Sequence, residues 1–159
     1  MNIDKAWELG PEQYIRHITD CYLEHIGGEI NAESINKLSV EQHTLLAYRY
    51  ILDEVMEGGF IQLIQNGYGP YVLSGPFPMM VKKHWELKEF GKYLFDVRHE
   101  YHLHKEELEA DLNEEEFMAL YEQQETMNEL GDDFLDIYQE EVTPAIATFV
   151  REHQNLYLL

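Results

Sequence analysis

Between Glu106 and Glu141 the chain carries 15 acidic residues and no lysine or arginine, yet the same stretch is rich in large apolar side chains. Leu108, Leu112, Phe117, Leu120, Tyr121, Met127, Leu130, Phe134, Leu135, Ile137 and Tyr138 all fall within it. Acidic runs of this length are commonly solvated tails, but a disordered tail does not hold so many groups that favour burial. Residues 117, 120, 127, 130, 134 and 138 are separated by threes, fours and one seven, the period of an amphipathic helix. A second row, Glu122, Glu125, Glu129, Asp132, Asp136 and Glu140, steps by threes and fours and is offset from the first by two residues. At about 100° per residue, that offset puts the rows on opposite faces. The block is therefore expected to be helical, with one face packed and the other lined by carboxylates. Gly131 is the expected interruption, with Asp132 or Asp133 able to cap a new helix after it. Like charges at i,i+4 cost a few tenths of a kcal/mol per pair. A chain that keeps several gives up stability, and function is one reason to do so.

The remainder is much closer to neutral. Residues 1–105 hold 15 acids and 10 Lys+Arg, and residues 142–159 hold one of each, so the acidic block supplies −15 of the formal −20. A magnitude of about 2–8 is ordinary for a small soluble domain. Such a field repels nucleic acid and anionic lipid and attracts basic surfaces. Direct nucleic-acid binding is not expected, and a basic protein surface is the expected partner. A length of 159 residues suits one domain spanning 1–159. Such a chain buries roughly 68–70% of its unfolded surface, so no cofactor, metal or disulfide is expected as a staple. The single cysteine, Cys21, permits no intramolecular disulfide and favours a reducing compartment. The opening residues mix acid and base, and no stretch approaches the ~18 apolar residues of a membrane helix. A cytoplasmic protein is expected.

Helical signals run through the rest. Pro11 suits the first turn of a helix carrying Tyr14, Ile15, Ile18, Tyr22 and Ile26 and ended by Gly27-Gly28. Ser39-Val40-Glu41-Gln42 fits a capping box opening a helix through Leu45, Leu46, Leu52, Val55 and Met56. Gly58-Gly59 ends or bends it, and Phe60–Ile64 reads as a short buried helix. Asn66–Pro70 is a turn. Helical patterning resumes over Pro78–Phe90 and Gly91–Glu109, and Thr143-Pro144 suits the cap and first residue of a last helix ending near His153. No strand alternation or internal repeat is present. The expected fold is all-α, a single compact domain of seven or eight helices.

Within this pattern, Leu52, Asp53, Val55, Gly58, Gly59, Phe60, Gln62, Asn66 and Gly67 follow a specific order. The segment resembles the helical family of DNA mimic protein nineteen, whose hallmark is Leu-Asp-x-Glu-Val-x-Asn-Gly-Gly-Phe-x-Gln followed by Asn and Gly. Glu54 directly after Asp53, and Glu57 in place of Asn, depart from it. A looser likeness runs through Ala147–His153, so the family-like region spans about 40–153. The resemblance implies an all-helical domain, often a homodimer, in which acidic side chains imitate DNA phosphates and occupy a helix-turn-helix regulator. The residues Asp53, Gly58, Gly59, Phe60, Gln62, Asn66 and Gly67 themselves read as structural: the glycines permit positive φ or close approach, Phe60 anchors the turn, and Gln62 and Asn66 can satisfy exposed backbone groups.

Catalytic templates fare poorly. His99, Glu100, His102 and His104 could ligate a divalent ion, and a metal-dependent hydrolase is the enzyme alternative. However, Leu103 stands where the His-Glu-x-x-His signature needs its second histidine, and surface histidines near a helix C-terminus explain the cluster more simply. Gly67-Tyr68-Gly69 lacks the third glycine and the strand of a dinucleotide site. There is no phosphate-binding Gly-x4-Gly-Lys, and Leu73-Ser74-Gly75-Pro76 misses a nucleophile elbow. The sequence therefore reads as a non-catalytic acidic module. Its expected contact residues are Glu107, Asp111, Glu115, Glu122, Glu125, Glu129, Asp132, Asp136 and Glu140. The expected partner is the helix-turn-helix regulator that the resemblance implies or, alternatively, a basic nuclease toxin that the chain would hold as an immunity-type inhibitor.

Overall fold

A computed structural model describes all 159 residues, and every regular element is helical. The chain opens with α1 (Ile3–Glu8) and α2 (Pro11–Ile26). Pro11 occupies the first turn of α2, and Gly27 ends it in the left-handed conformation at φ 82°. A 3₁₀ turn (Ser34–Lys37) leads to α3 (Val40–Tyr50), opened by a reciprocal capping box between Ser39 and Gln42. A π turn (Ile51–Val55) carries α3 without a break into α4 (Met56–Gln65). The helix bends sharply at Gly58 (φ −143°, ψ 17°) and Gly59 (φ 74°, ψ −174°). A second π turn (Pro70–Ser74), α5 (Phe77–Lys83), α6 (Lys88–Leu103) and the single turn α7 (Lys105–Leu108) follow. The acidic block continues as α8 (Glu114–Gln123), α9 (Glu125–Asp133) and a third π turn (Phe134–Tyr138). The chain closes with α10 (Gln139–Glu152) and α11 (Gln154–Tyr157).

Eleven α-helical segments thus replace the seven or eight expected. The four-residue α7 and α11 are too short to leave a periodic signal. The pattern read as one helix over Pro78–Phe90 is interrupted between His84 and Leu87, where Glu86 takes a positive φ of 56°. Pro144 is not a first residue either. It lies inside α10, which starts at Gln139. The ring cannot donate to the carbonyl of Glu140, but both residues face water, which satisfies the freed acceptor.

The core runs from Ala6 to Tyr157, and its centre is aromatic. Tyr48 of α3 packs edge-on against Phe90 of α6 and Phe134, with ring centroids 6.1 and 6.3 Å apart. Phe90 also meets Phe134 and Tyr138, and Tyr93 meets Tyr138 at 4.5 Å. Tyr48 Oη and Thr143 Oγ1 share a buried hydrogen bond of 2.5 Å. Phe134, Tyr138 and Thr143 belong to the acidic half of the chain or its continuation, so this cluster bolts that half to α3 and α6. No helix is long and apolar enough to cross a membrane.

Candidate partner-binding surface

The acidic helices are ordered from their first turn. Asn113 Oδ1 accepts from Glu116 N at 2.9 Å, and Glu116 Oε1 accepts from Asn113 N at 3.3 Å. Glu114, Glu115 and Glu116 fill that first turn, where the helix dipole favours negative charge. The apolar row turns inward as its spacing requires. Leu120, Met127 and Phe134 are buried, and Phe117, Leu130 and Tyr138 pack against the core.

The interruption falls at Gln124, not Gly131. Gln124 leaves helical geometry at φ −98°, ψ 60°, while Gly131 stays inside α9. Side chains hold the break: Gln124 is nearly buried and its Nε2 donates to Glu107 Oε2 at 3.0 Å, and Asn128 Nδ2 donates to the Tyr121 carbonyl at 2.6 Å. Its trace in the sequence is the seven-residue gap between Leu120 and Met127. Gly131 has a different task. Its Cα faces Gly59, and a Cβ built there would lie 3.6 Å from Gly59 Cα. The two backbones approach closely, letting α9 lie against the bend in α4. Tyr121 Oη donates to the Gly58 carbonyl and Tyr93 Oη to the Leu130 carbonyl, fixing the ends of the same contact.

All nine carboxylates expected at the interface are exposed: Glu107, Asp111, Glu115, Glu122, Glu125, Glu129, Asp132, Asp136 and Glu140. They do not form one straight row. Glu122 lies in the last turn of α8 and Glu125 starts α9, so the break at Gln124 separates them, while Asp132, Asp136 and Glu140 follow α9 through the π turn into α10. Four-residue steps drift by about 40° along an α-helix. The wider π turn around Asp136 reverses part of that drift, so the last three acids remain closer to one line.

Cations are scarce around this face. Of the nine, only Glu107 has a basic neighbour, His104 Nδ1 at 4.0 Å. The ion pairs lie elsewhere: Arg16 with Glu12 and Asp53, Arg49 with Asp20 and Asp53, His104 with Glu100, Lys105 with Glu109, and Arg151 with Asp4. Lys82, Lys83, Lys88 and Lys92 neutralise none of the nine. Apart from Glu107 and Glu109, the block's charge is left for solvent or a partner to compensate.

The residues of the Gly-Gly-Phe segment are engaged internally. Asp53 accepts from Arg16 Nη1 at 2.6 Å and from Arg49 Nε at 2.9 Å, tying α2 to the π turn after α3. Burial disfavours the Arg16 charge, but hydrogen bonds to Asp53 and Glu12 outweigh it and raise its pKa above the ordinary arginine value. Gln62 Nε2 and Asn66 Nδ2 do not serve exposed backbone groups. Both donate to Glu54 Oε2, each at 2.8 Å. Glu54 is thus the acceptor around which the segment closes, and charge makes it a stronger acceptor than a carbonyl. Phe60 is buried against Tyr93, and Gly67 takes φ 90° in the following turn. Gln65, which periodicity did not single out, donates to the Leu108 and Ala110 carbonyls and fastens α4 to the start of the acidic block.

The histidines point to different partners. His102 Nε2 lies 2.7 Å from Ser74 Oγ, His104 Nε2 lies 3.3 Å from Glu100, and His99 is exposed. No three His, Cys, Asp or Glu side chains converge at metal-binding distance, so the cluster does not assemble the ligand set its spacing invited. Desolvation, then the nearby Arg98, Lys105 and His99, lower the pKa of His102.

Residues 36–153 match the family model described as DMP19-like protein. The DNA mimic protein DMP19 of Neisseria meningitidis serogroup B is 35% identical over 100 residues, which make up 63% of this chain and 59% of that protein. The match thus spans somewhat over half of the relative's length.

Proposed function

This chain belongs to the DMP19-like protein family, and from that premise we propose that it is a non-catalytic binding module whose carboxylate face occupies the basic surface of a DNA-binding protein. The observation that carries the reading is the set of exposed carboxylates between Asp111 and Glu140 that have no cation within ion-pair reach, displayed on ordered helices. Duplex DNA presents one charge every ~3.4 Å along each strand. Carboxylates three or four residues apart on a helix are spaced about 5–6 Å, a looser version of the same pattern. A protein whose lysines and arginines are arranged for phosphates meets acceptors of the same sign at comparable intervals. We take as the partner the helix-turn-helix regulator that the family resemblance implies; occupying its DNA surface would keep it off the operator.

The test is capture from the native cell on immobilised protein, followed by elution with salt and, separately, with duplex DNA. The expected partner is a DNA-binding protein that leaves early in the salt gradient and is displaced by DNA, since both ligands compete for the same basic side chains. Reversing Glu122, Glu125 and Glu129 to lysine abolishes capture while the helical circular dichroism spectrum stays intact. Capture that survives the reversal, or that DNA fails to displace, overturns the proposal.

A further inference from the structure

The bend at Gly58 and Gly59 opens a groove of about 450 Å³ against α9, on the same side of the molecule as Asp132. Met56, Tyr121 and Leu135 give it apolar walls, and Glu57 and Asp132 add a carboxylate from each of the two packed elements. Met56 and Leu135 keep 41% and 39% of their surface exposed, although both are large apolar groups. The side-chain donors in the groove are committed: Tyr121 Oη to the Gly58 carbonyl and Asn128 Nδ2 to the Tyr121 carbonyl. The acceptors are not. Neither Glu57 nor Asp132 is held in an ion pair, and no lysine, arginine or histidine lines the space.

The geometry points to this groove as the seat of one arginine side chain from the basic partner, its aliphatic stem on Met56, Leu135 and the Tyr121 ring and its guanidinium on Glu57 and Asp132. A site offering apolar walls and spare acceptors complements a group with an apolar stem and several donors. Arginine meets this better than lysine. Its guanidinium is planar, carries five N–H donors in a fixed fork and is less strongly hydrated than an ammonium, so it loses less on entering a partly apolar groove. The inference rests on the acidic-face reading and names the side chain that face selects. It also gives the Gly58-Gly59 bend a recognition role beside its packing role.

The test compares a short fluorescent oligoarginine peptide with an oligolysine of equal length, binding the full chain in the same buffer and read by anisotropy. Wild type is expected to hold the arginine peptide about three- to tenfold more tightly, the scale of one modest charge-assisted contact. The double variant E57Q/D132N brings the two peptides to parity. The charge-matched variant E115Q/E122Q, at two residues that do not line the groove, weakens both peptides alike and preserves their ratio. Equal affinities in wild type, or a ratio untouched by E57Q/D132N, remove the groove while leaving the acidic face in place. Failure of wild type to bind either peptide removes both readings. Concentration-dependent self-association that Leu135→Asp abolishes seats a second copy of the chain in the groove instead and overturns the arginine assignment.

Discussion

Reversing one charge on the acidic face should make the protein more stable and less functional at once. Glu129 is exposed in the middle of α9, free of any ion pair, with Glu125 four residues before it and Asp132 and Asp133 three and four residues after it. Each like-charge pair at these spacings costs roughly 0.2–0.5 kcal/mol, and each opposite pair gains a similar amount. Glu129→Lys converts three repulsions into three attractions, one in the favoured order with the glutamate N-terminal to the lysine. Summed independently, that gives about 1–3 kcal/mol, and coupling among neighbouring charges keeps the gain in the lower half of the range. For a chain of this length each kcal/mol moves the midpoint by about 2–4 °C, so thermal unfolding at low ionic strength should rise by about 2–8 °C. Followed by circular dichroism, the gain should shrink greatly in molar salt, where the Debye length falls to about 3 Å. The same variant should retain less partner. A midpoint that stays put or falls at low salt, or a gain that survives in molar salt, refutes the claim that the face holds uncompensated charge.

Two glycines that meet across the α4–α9 contact should respond with opposite signs. Gly131→Ala should stabilise by about 0.5–1 kcal/mol, because glycine is a poor helix-interior residue and the added Cβ makes ordinary contact at 3.6 Å; denaturant titration showing destabilisation would count against the described approach of the two backbones. Gly59→Ala should destabilise by about 1–3 kcal/mol, since φ 74°, ψ −174° is a conformation almost reserved for glycine; a neutral result in the same titration would remove the bend from that position. Alkaline pH provides a third test. Burial raises the phenol pKa of Tyr22, Tyr48, Tyr71 and Tyr93 well above its usual value, and takes Tyr50 and Tyr157 to about 12. An unfolded phenol titrates near 10, so between about pH 10 and 12 the folded chain holds protons that the unfolded chain has lost. The stability tied to these groups is complete below about pH 10 and is lost as pH rises through the folded values. Tyrosinate from these six phenols and helix loss should therefore appear together above about pH 10, and ionisation of these six near pH 10 with the helices intact, followed by residue-resolved NMR, would contradict the burial.

Much of the fold is legible in short stretches. The Ser39 capping box, Pro11 at a first turn and the Gly27 termination all depend on groups within a few residues of one another, so their chemistry is complete in the local sequence. The outward display of Glu122 through Glu140 is equally local, because a 3.6-residue period fixes which side chains oppose the buried row. Departures begin where distant groups decide. Gln124, not Gly131, breaks the acidic helix because Glu107 and the Tyr121 carbonyl supply partners there. Gly131 is retained for its approach to Gly59, a contact that helix propensity does not encode.

The signature segment and the histidines mark the same boundary. Asp53 faces Arg16 from 37 residues away, and Glu54 gathers Gln62 and Asn66, so these side chains are engaged only once α2, α3 and α4 have packed. His102 finds Ser74 across 28 residues while His104 stays with Glu100, and a cluster compact in sequence is divided in space. From the sequence alone came the helical class, the acidic face and its opposition to an apolar row, all consequences of periodicity and composition. Tertiary structure decided where the face breaks, which carboxylates remain unpaired and where a groove opens beside them. Those outcomes depend on which backbones and charges meet across the core, and no local period carries that information.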